Sequence, residues 1–188
     1  MDELIDILNA KGEKTGETCM KSEVHKKGIF HASVHIWIYD NNGNILVQRR
    51  AMDKDTHPNH WDVSVAGHVG AGELPVISAI REVKEEIGLK IKEDNLEEIG
   101  YFKSEFIHRA DLKDIEYHYT YLCNYNIDIE KLTIQEEEVA ELRILSFSDF
   151  NKEVFESKDG FLFVPYGKKY YQFIIDQIKE RINNIVNG

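Results

Sequence analysis

Cysteine, proline and long apolar runs are all scarce in this chain of 188 residues. It has 2 cysteines and 3 prolines, and Cys19 and Cys123 lie far apart without CxxC spacing. Neither a disulfide framework nor a structural zinc site is therefore expected. No apolar run approaches the roughly 20 residues of a membrane-spanning helix, and the acidic start MDELIDILNA is unlike a signal peptide. We expect a cytoplasmic protein that has no membrane partner.

Basic residues are also in deficit. With 23 Lys and Arg against 34 Asp and Glu, the net charge is −11 at pH 7. Binding to nucleic acid or to an anionic membrane depends on cationic patches, so this balance argues against both partners. The phosphates of a small anionic substrate would have to be met locally. A hydrophobic content of 42% is enough for the core of one domain with a small extension.

The most informative segment is GHVGAGELPVISAIREVKEEIGL, residues 67–89. A glycine-rich turn leads into a helical pattern that places Glu82, Glu85 and Glu86 within an arc of roughly 100°. Gly88 follows where a left-handed residue commonly ends a helix. The opposite side of the helix is predicted to pack through apolar residues, namely Val76, Ile77, Ile80, Val83 and Ile87.

Three carboxylates on one helical face suit a hard divalent cation. Mg²⁺ prefers oxygen ligands and is usually held by one or two carboxylates together with phosphate oxygens of the substrate. Without such a cation, the glutamates would repel a diphosphate. The cation would also lower the pKa of the attacking water, and a spare glutamate could take the water's proton. The pattern predicts magnesium-dependent hydrolysis of a phosphoanhydride, with Mn²⁺ as an alternative ion.

Taken alone, glutamate pairs on a helix more often form a solvated acidic face than a metal site. Here the spacing favours the metal site. Gly67, Glu73 and the run REVKEEIGL (residues 81–89) match every defined position of the Nudix box, so the chain resembles the Nudix hydrolase superfamily. The resemblance covers roughly residues 30–150. It implies an α/β fold, an α/β/α sandwich with a mixed central sheet and a catalytic loop-helix-loop.

The resemblance also implies roles for residues of the box. In the family, the glutamates bind metal and supply the base, and the glycine often contributes its backbone carbonyl. An arginine and the earlier glutamate, here Arg81 and Glu73, form a structural pair that holds the carboxylates through charge-assisted bonds. The implied catalytic and metal-binding set is Glu82, Glu85, Glu86, Arg81 and Gly67.

The rest of the chain divides into three predicted parts. Residues 1–29 are expected to form an N-terminal hairpin extension, residues 30–150 the Nudix domain, and residues 151–188 a C-terminal helical extension packed on it. Strands are predicted in FHASVHIWIYD, ILVQRR, NLEEIGYFKSEF, IEYHYTYLCNYNI and VAELRIL, with a hairpin turn at DNNGN. Helical spacing predicts a last helix over residues 166–186. A homodimer would use the N-terminal hairpin and this last helix.

Local cations for a diphosphate are predicted at the end of the ILVQRR strand. Arg50 and Lys54 are the candidate phosphate ligands. His68 lies in the glycine loop, where it would touch metal or phosphate or make a simple loop hydrogen bond. Glu137 or Glu138 could add a carboxylate, although a solvated face or a helix N-terminus explains that acidic run equally well.

Within the superfamily, the chain is most similar to the branch that contains isopentenyl diphosphate isomerase. His31, His68 and Glu116 occupy positions resembling three metal ligands of that enzyme, which raises the question of a second metal site. However, Ala66 stands where the isomerase has its catalytic cysteine, and His118 stands where it has its catalytic glutamate. The box is also intact, so a hydrolase is favoured over an isomerase.

Two further points follow from the resemblance. A noncatalytic ligand sensor on the same scaffold is the third alternative, and it is the least favoured because no box glutamate is lost.

The expected substrate is a compound linked to a nucleoside diphosphate, or a related diphosphate. Its leaving group stays open, since loops outside the box set specificity and the fold hosts many substrates.

Overall fold

The computed structural model describes residues 2–156 and 162–187, and within this range it has nine strands and four α-helices. Two short 3₁₀ turns lie at Glu93–Asn95 and Ile129–Lys131. The strands are β1 (Leu4–Leu8), β2 (Lys14–Met20), β3 (His31–Tyr39), β4 (Ile45–Arg50), β5 (Trp61–Asp62), β6 (Val65–His68), β7 (Leu96–Arg109), β8 (Leu112–Asn124) and β9 (Val139–Leu145). The helices are α1 (Lys21–Lys27), α2 (Pro75–Ile87), α3 (Phe147–Glu156) and α4 (Lys168–Asn187). None of the described helices has the length and apolarity needed to cross a bilayer.

Strand β3 lies at the centre of a mixed seven-stranded sheet. It pairs antiparallel with β4 and β6 and parallel with β8, and β8 pairs antiparallel with β7. On the other side, β4 pairs antiparallel with both β5 and β9. Strands β1 and β2 form a separate two-stranded sheet. The mixed sheet confirms the predicted fold class.

Helices cover both faces of the sheet, so all nine residues of β3 are buried. Val34 and Ile36 pack in one core with α2, as the strand alternation predicts. The opposite face is equally buried, because Trp37 packs in a second core with Phe150 of α3 and Ile174 of α4. This layering of helix, sheet and helix is the predicted α/β/α sandwich.

Helix α2 begins with Pro75, whose fixed φ suits the first helical turn. It ends at Gly88, which takes a left-handed φ of 70° as predicted. Val83 and Ile87 are fully buried in the core. Ile77 was wrongly expected to pack with them, since it is 45% exposed. Successive residues of a helix are rotated by ~100°, so Ile77 lies beyond the edge of the apolar stripe to which Val76 belongs.

The N-terminal segment contains the predicted hairpin and also an unpredicted helix, α1. The hairpin docks on the core, since the Leu8 amide donates to the Phe30 carbonyl at 2.8 Å and the Ala71 amide donates to the Leu4 carbonyl at 2.9 Å. Helix α1 has seven residues, and only Val24 is buried. Such a short helix shows too little apolar periodicity to be recognised from sequence.

The last helix begins at Lys168, two residues later than predicted, and packs on the face of the sheet opposite α2. Of the predicted C-terminal extension, residues 157–161 lie outside the described residues. The three domain boundaries drawn from the sequence stay predictions.

Candidate functional site

A cavity of about 400 Å³ brings together residues that are distant in sequence. Its walls come mainly from helices α1 and α2, from strands β3, β6 and β8, and from the end of β4 with the loop that follows it. Ten of the residues singled out from the sequence line this cavity, namely Gly67, His68, Arg81, Glu82, Glu85, Glu86, Arg50, Lys54, Glu116 and Glu138.

Three other sequence candidates do not line the cavity. Glu137 is exposed to solvent, so of the two neighbouring glutamates only Glu138 faces the site. His31 is fully buried. It does not line the cavity itself, but it contacts Glu116, which does. His118 is also buried, and its two ring nitrogens each lie 2.6 Å from a serine hydroxyl. A site role for His118, which stands at the position of the isomerase's catalytic glutamate, stays a prediction.

Arg81 organises the acidic face of α2. Its guanidinium donates to Glu82 at 2.7 Å and to Glu85 at 3.1 Å. It also contacts Glu73 at 3.2 Å and donates to the backbone carbonyl of His68 at 3.1 Å. Arg81 therefore ties two of the candidate metal-binding carboxylates to the glycine loop through charge-assisted bonds.

Gly67 allows the loop to lie directly against the glutamates. A Cβ atom at this position would fall 2.0 Å from the carboxyl carbon of Glu82. Any other residue would push that carboxylate out of its place. The glycine is thus needed for close approach of the loop backbone to the acidic face.

The acidic face carries charge that its surroundings do not fully compensate. Burial raises the pKa of Glu82 to about 7, against the opposing effect of Arg81. Burial also raises the pKa of Glu86 well above its ordinary value, and the charges of Glu82 and Glu138 add to the effect. Gln48 donates to Glu86 at 3.2 Å, but a neutral amide cannot balance a carboxylate. A bound cation would supply the missing positive charge, so the donor set fits a hard divalent ion.

The candidate phosphate ligands already have partners. Arg50 donates to the buried carboxylate of Asp62 at 3.0 Å and to both the carbonyl and the hydroxyl of Thr56. Lys54 forms an ion pair with Glu138. Arg50 therefore also anchors the loop after β4, and two of its five N–H groups remain for a ligand. Lys21, which sequence reasoning missed, adds a further cation to the cavity wall.

A cluster of three histidines and one glutamate adjoins the acidic face. His25 Nε2 lies 3.2 Å from both His31 Nε2 and His68 Nε2. Glu116 Oε1 lies 3.1 Å from His31 Nε2 and 3.2 Å from His68 Nε2. The four ligand atoms all lie within 4.8 Å of one another, so these residues could hold a metal ion. We call this group the histidine cluster.

For three of its four members, the pKa shifts in the histidine cluster favour the protonation state that binds metals. Burial lowers the pKa of His68 to about 3, and burial and the neighbouring His31 lower the pKa of His25. The pKa of Glu116 lies well below its ordinary value, because the histidine hydrogen bonds outweigh its burial. Burial acts to lower the pKa of His31, but Glu116 reverses this and raises it. Neutral imidazole and ionised carboxylate are the forms that bind metals.

One carboxylate beside the cluster has an incomplete set of partners. Asp114 Oδ2 lies 3.1 Å from His108, whereas Asp114 Oδ1 is buried and has no hydrogen-bond partner among the described residues. That oxygen lies 3.9 Å from His25 Nε2. Metal-binding histidines commonly have a carboxylate beside them, so Asp114 also fits a metal centre.

His25 was missed by the sequence interpretation, which singled out only three members of the cluster. It lies on α1, the helix without a clear sequence signal, and no spacing rule links it to residues 31, 68 and 116. The four residues come from α1, β3, β6 and β8. Only the arrangement of these elements brings them together.

Comparison with known proteins identifies the class to which this fold and site belong. A family model described as the NUDIX domain matches residues 29–163. The chain therefore belongs to the Nudix family, whose enzymes generally use divalent metal ions and act on pyrophosphate-type bonds.

Individual relatives agree with this assignment. The chain is 37% identical over 186 residues to Nudix hydrolase 3 of Arabidopsis thaliana, and the match covers 96% of the chain but only 24% of that longer protein. It is 33% identical to an uncharacterised Nudix hydrolase of Clostridium acetobutylicum, over 90% of the chain and 84% of that protein.

An isomerase and a solved structure are also similar to this chain. Identity is 31% with isopentenyl-diphosphate delta-isomerase 2 of Photorhabdus laumondii, over 76% of the chain and 77% of the isomerase. The fold is similar to that of a crystallised Deinococcus radiodurans protein, with a TM-score of 0.63 and 16% identity over 95% of this chain and 98% of that one. The isomerase branch is thus present among the relatives, as the sequence resemblance predicts.

Proposed function

We propose that this chain is a divalent-metal-dependent hydrolase that cleaves a phosphoanhydride bond in a small diphosphate substrate, such as a nucleoside diphosphate-linked compound. The observation that supports this most directly is the composition of the cavity. It combines the carboxylates of Glu82, Glu85 and Glu86 with the cations Arg50 and Lys54. Carboxylates suit a metal ion and cations suit phosphate, so the cavity offers both halves of a metal–diphosphate complex.

Glu82, Glu85 and Glu86, with the backbone carbonyl of Gly67, would hold Mg²⁺ or Mn²⁺. When bound, the ion stabilises negative charge on phosphate oxygens and lowers the pKa of the attacking water. Glu138 is a further carboxylate in the cavity wall, and its charge helps to raise the pKa of Glu86. A carboxylate of this set that does not bind the ion is available to remove the proton of the water.

Side chains around the ion would position the substrate. Arg81 keeps the carboxylates of Glu82 and Glu85 on one side of the cavity through its two short contacts. Lys54 would exchange Glu138 for a phosphate oxygen, because a dianionic phosphate offers a stronger partner than one carboxylate. This exchange would also free Glu138 to face the metal.

The histidine cluster would hold a second divalent ion of a different class. Three imidazoles and one carboxylate favour borderline ions such as Zn²⁺, Co²⁺ or Mn²⁺ over Mg²⁺. The members of the cluster are His25, His31, His68 and Glu116. Two ions in one cavity would together offset much of the charge of a diphosphate.

An isomerase is the second candidate function, and the histidine cluster is the observation that favours it. Two features oppose it. Ala66 lines the cavity at the position of the isomerase's catalytic cysteine, so no thiol is present there for proton transfer. His118 stands at the position of the isomerase's catalytic glutamate, and its buried ring stacks on His35 at 4.0 Å. Without that acid–base pair, water remains the reactant that the acidic face can activate.

A substrate panel in ¹⁸O-labelled water tests the proposal. Sugar nucleotides, dinucleotides, modified nucleoside triphosphates and isopentenyl diphosphate would each be incubated with the protein and Mg²⁺. Hydrolysis should place the label in one phosphate-containing product of at least one substrate. An isomerised product without label would identify an isomerase. Binding without turnover under any divalent metal would identify a ligand sensor, and either result would overturn the proposal.

A further inference from the structure

Strand β7 lies at the edge of the seven-stranded sheet. It is 14 residues long, and in the described part of the chain β8 is the only strand that pairs with it. An edge strand presents a row of backbone N–H and C=O groups that can pair with another strand. A long, open edge of this kind is therefore a candidate surface for strand addition.

The central part of β7 is regular enough to accept a partner. Its pairing with β8 is irregular between Glu98 and Gly100 and again between Ile107 and Arg109. Between these two points the register is constant. Side chains on one face of this stretch are unusually exposed for large residues, since Tyr101 is 59% and Ile107 is 74% exposed.

The sequence of this regular stretch is complementary to itself in one antiparallel register. With Ser104 placed opposite Ser104 of a second copy, Lys103 faces Glu105 of that copy and Tyr101 faces its Ile107. Two-fold symmetry repeats both pairs, so all four exposed positions find a partner of suitable character. Opposite charges and apolar pairs directly across an antiparallel ladder are stabilising.

Neighbouring registers of the same orientation lose this match. A shift of two residues in one direction places Lys103 opposite Lys103 of the second copy, and a shift in the other direction places Glu105 opposite Glu105. Like charges directly opposite each other are destabilising. The other face of the ladder is also matched at the Ser104 centre, since Phe102 then lies opposite Phe106 of the second copy.

We propose that two copies of this chain associate through antiparallel pairing of β7 with β7, centred on Ser104. The two sheets would then join into one continuous sheet across the two-fold axis. Phe106 of β7 lines the cavity, so the pairing would also steady one cavity wall. This surface differs from the hairpin and last helix that the sequence interpretation chose for a dimer, because both of those elements pack on their own core.

Charge reversal tests this register by sedimentation velocity. Lys103→Glu and Glu105→Lys should each raise the dimer dissociation constant at least about tenfold, because each places like charges opposite each other at two symmetric positions. The double variant restores opposite charges and should dimerise like the natural chain. Lys90→Glu, an exposed residue beyond the end of α2, is the matched charge control and should not change the dimer.

Two outcomes of that experiment would overturn the proposal. One is a natural chain that keeps the 21.9 kDa mass of a single copy at every concentration tested. The other is a dimer that neither single substitution weakens, which would move the interface to the hairpin or the last helix. Melting curves of each variant would show that a change in association is not a loss of folding.

Cross-linking gives a second test that does not depend on charge. In a Cys19→Ser background, a cysteine introduced by Ser104→Cys would face itself across the axis, where Cα atoms of opposing residues lie ~4.5–5.5 Å apart. Oxidation should convert this variant into a disulfide-linked dimer. Ile107→Cys, at a more exposed position, should not cross-link to its own copy in this register. Equal cross-linking of the two variants would contradict the proposed pairing.

Discussion

The site contains two groups of candidate metal-binding side chains that differ in how their charge is balanced. On α2, burial and neighbouring carboxylates raise the pKa of Glu82 and Glu86. In the histidine cluster, hydrogen bonds from His31 and His68 lower the pKa of Glu116 despite its burial. The acidic face thus lacks positive charge, whereas the histidine cluster compensates its carboxylate internally.

This difference predicts different behaviour without and with metal. We expect a cation to stabilise the acidic face, because it would supply the positive charge that these carboxylates lack. In the histidine cluster the ligand atoms already contact one another at hydrogen-bond distance, so a metal would have to replace these contacts.

The largest expected effect is on turnover when a carboxylate of the acidic face is neutralised. Glu85→Gln should lower kcat by at least about a hundredfold, because it removes a group that binds the cation or its water. Steady-state kinetics at saturating Mg²⁺ would measure the change. Glu93→Gln, an exposed glutamate in the 3₁₀ turn, is the matched control and should leave kcat unchanged. Wild-type turnover in Glu85→Gln would exclude Glu85 from the mechanism.

Gly67→Ala should reduce kcat by roughly tenfold to a hundredfold, since small displacements of a catalytic group have effects of this size. The added methyl group would occupy the place of the Glu82 carboxylate. Because a side-chain end can move aside, the melting temperature should change much less than kcat. A variant with unchanged kcat would show that contact between the loop and Glu82 is not required.

His25→Ala should weaken binding of Zn²⁺ or Co²⁺ by at least about tenfold, as loss of a ligand or its support usually does. Competition with a chelator, followed by metal analysis of the protein, would measure this affinity. The Mg²⁺ concentration that gives half-maximal turnover should change little if the two groups hold separate ions. His60→Ala, in the loop after β4, is the control. A parallel loss of Mg²⁺ activation would merge the two groups into one site.

The smallest expected effect is the change in stability caused by Glu82→Gln. This substitution should stabilise the protein, whereas substitution of a glutamate on the acidic face should lower its activity. The pKa of Glu82 is raised from 4.5 to about 7 in the folded chain. The folded state therefore holds a proton that the unfolded state releases, and stability falls as pH rises from 4.5 to 7. Glu82→Gln should stabilise the metal-free protein above pH 7 by on the order of 1–3 kcal/mol.

Thermal melting with and without a chelator would measure this gain. Well below pH 4.5 the glutamate is protonated in both states, so the Gln variant should then melt close to the natural chain. A gain that does not depend on pH would mean that Glu82 carries no uncompensated charge. In that case the contrast between the two groups would fail.

The two groups also differ in how well the sequence predicts them. Glu82, Glu85 and Glu86 lie on one helix, and the period of 3.6 residues fixes their common face without reference to the rest of the fold. Glycines that bound the helix region, such as Gly67 and Gly88, follow from equally local geometry. The sequence interpretation placed all of these correctly on α2 and its adjoining loop.

Local patterns left a choice open where a position depended on distant contacts. Glu137 and Glu138 are adjacent and chemically identical, and only the path of the chain into β9 turns Glu138 toward the cavity. His118 lies on β8 two residues after Glu116, but unlike Glu116 it does not line the cavity. Instead Ser33 and Ser104, from the two flanking strands, hold its ring in the interior.

By itself, the sequence determined the family, the acidic helix and the alternation of strands, because each of these depends on residues close together in the chain. Tertiary structure alone decided that α1 would bring His25 to His31, His68 and Glu116, and that β7 would be left at the sheet edge. The reason is physical. Helical and strand periods act over a few residues, whereas a cluster assembled from four elements depends on how the sheet and its helices pack.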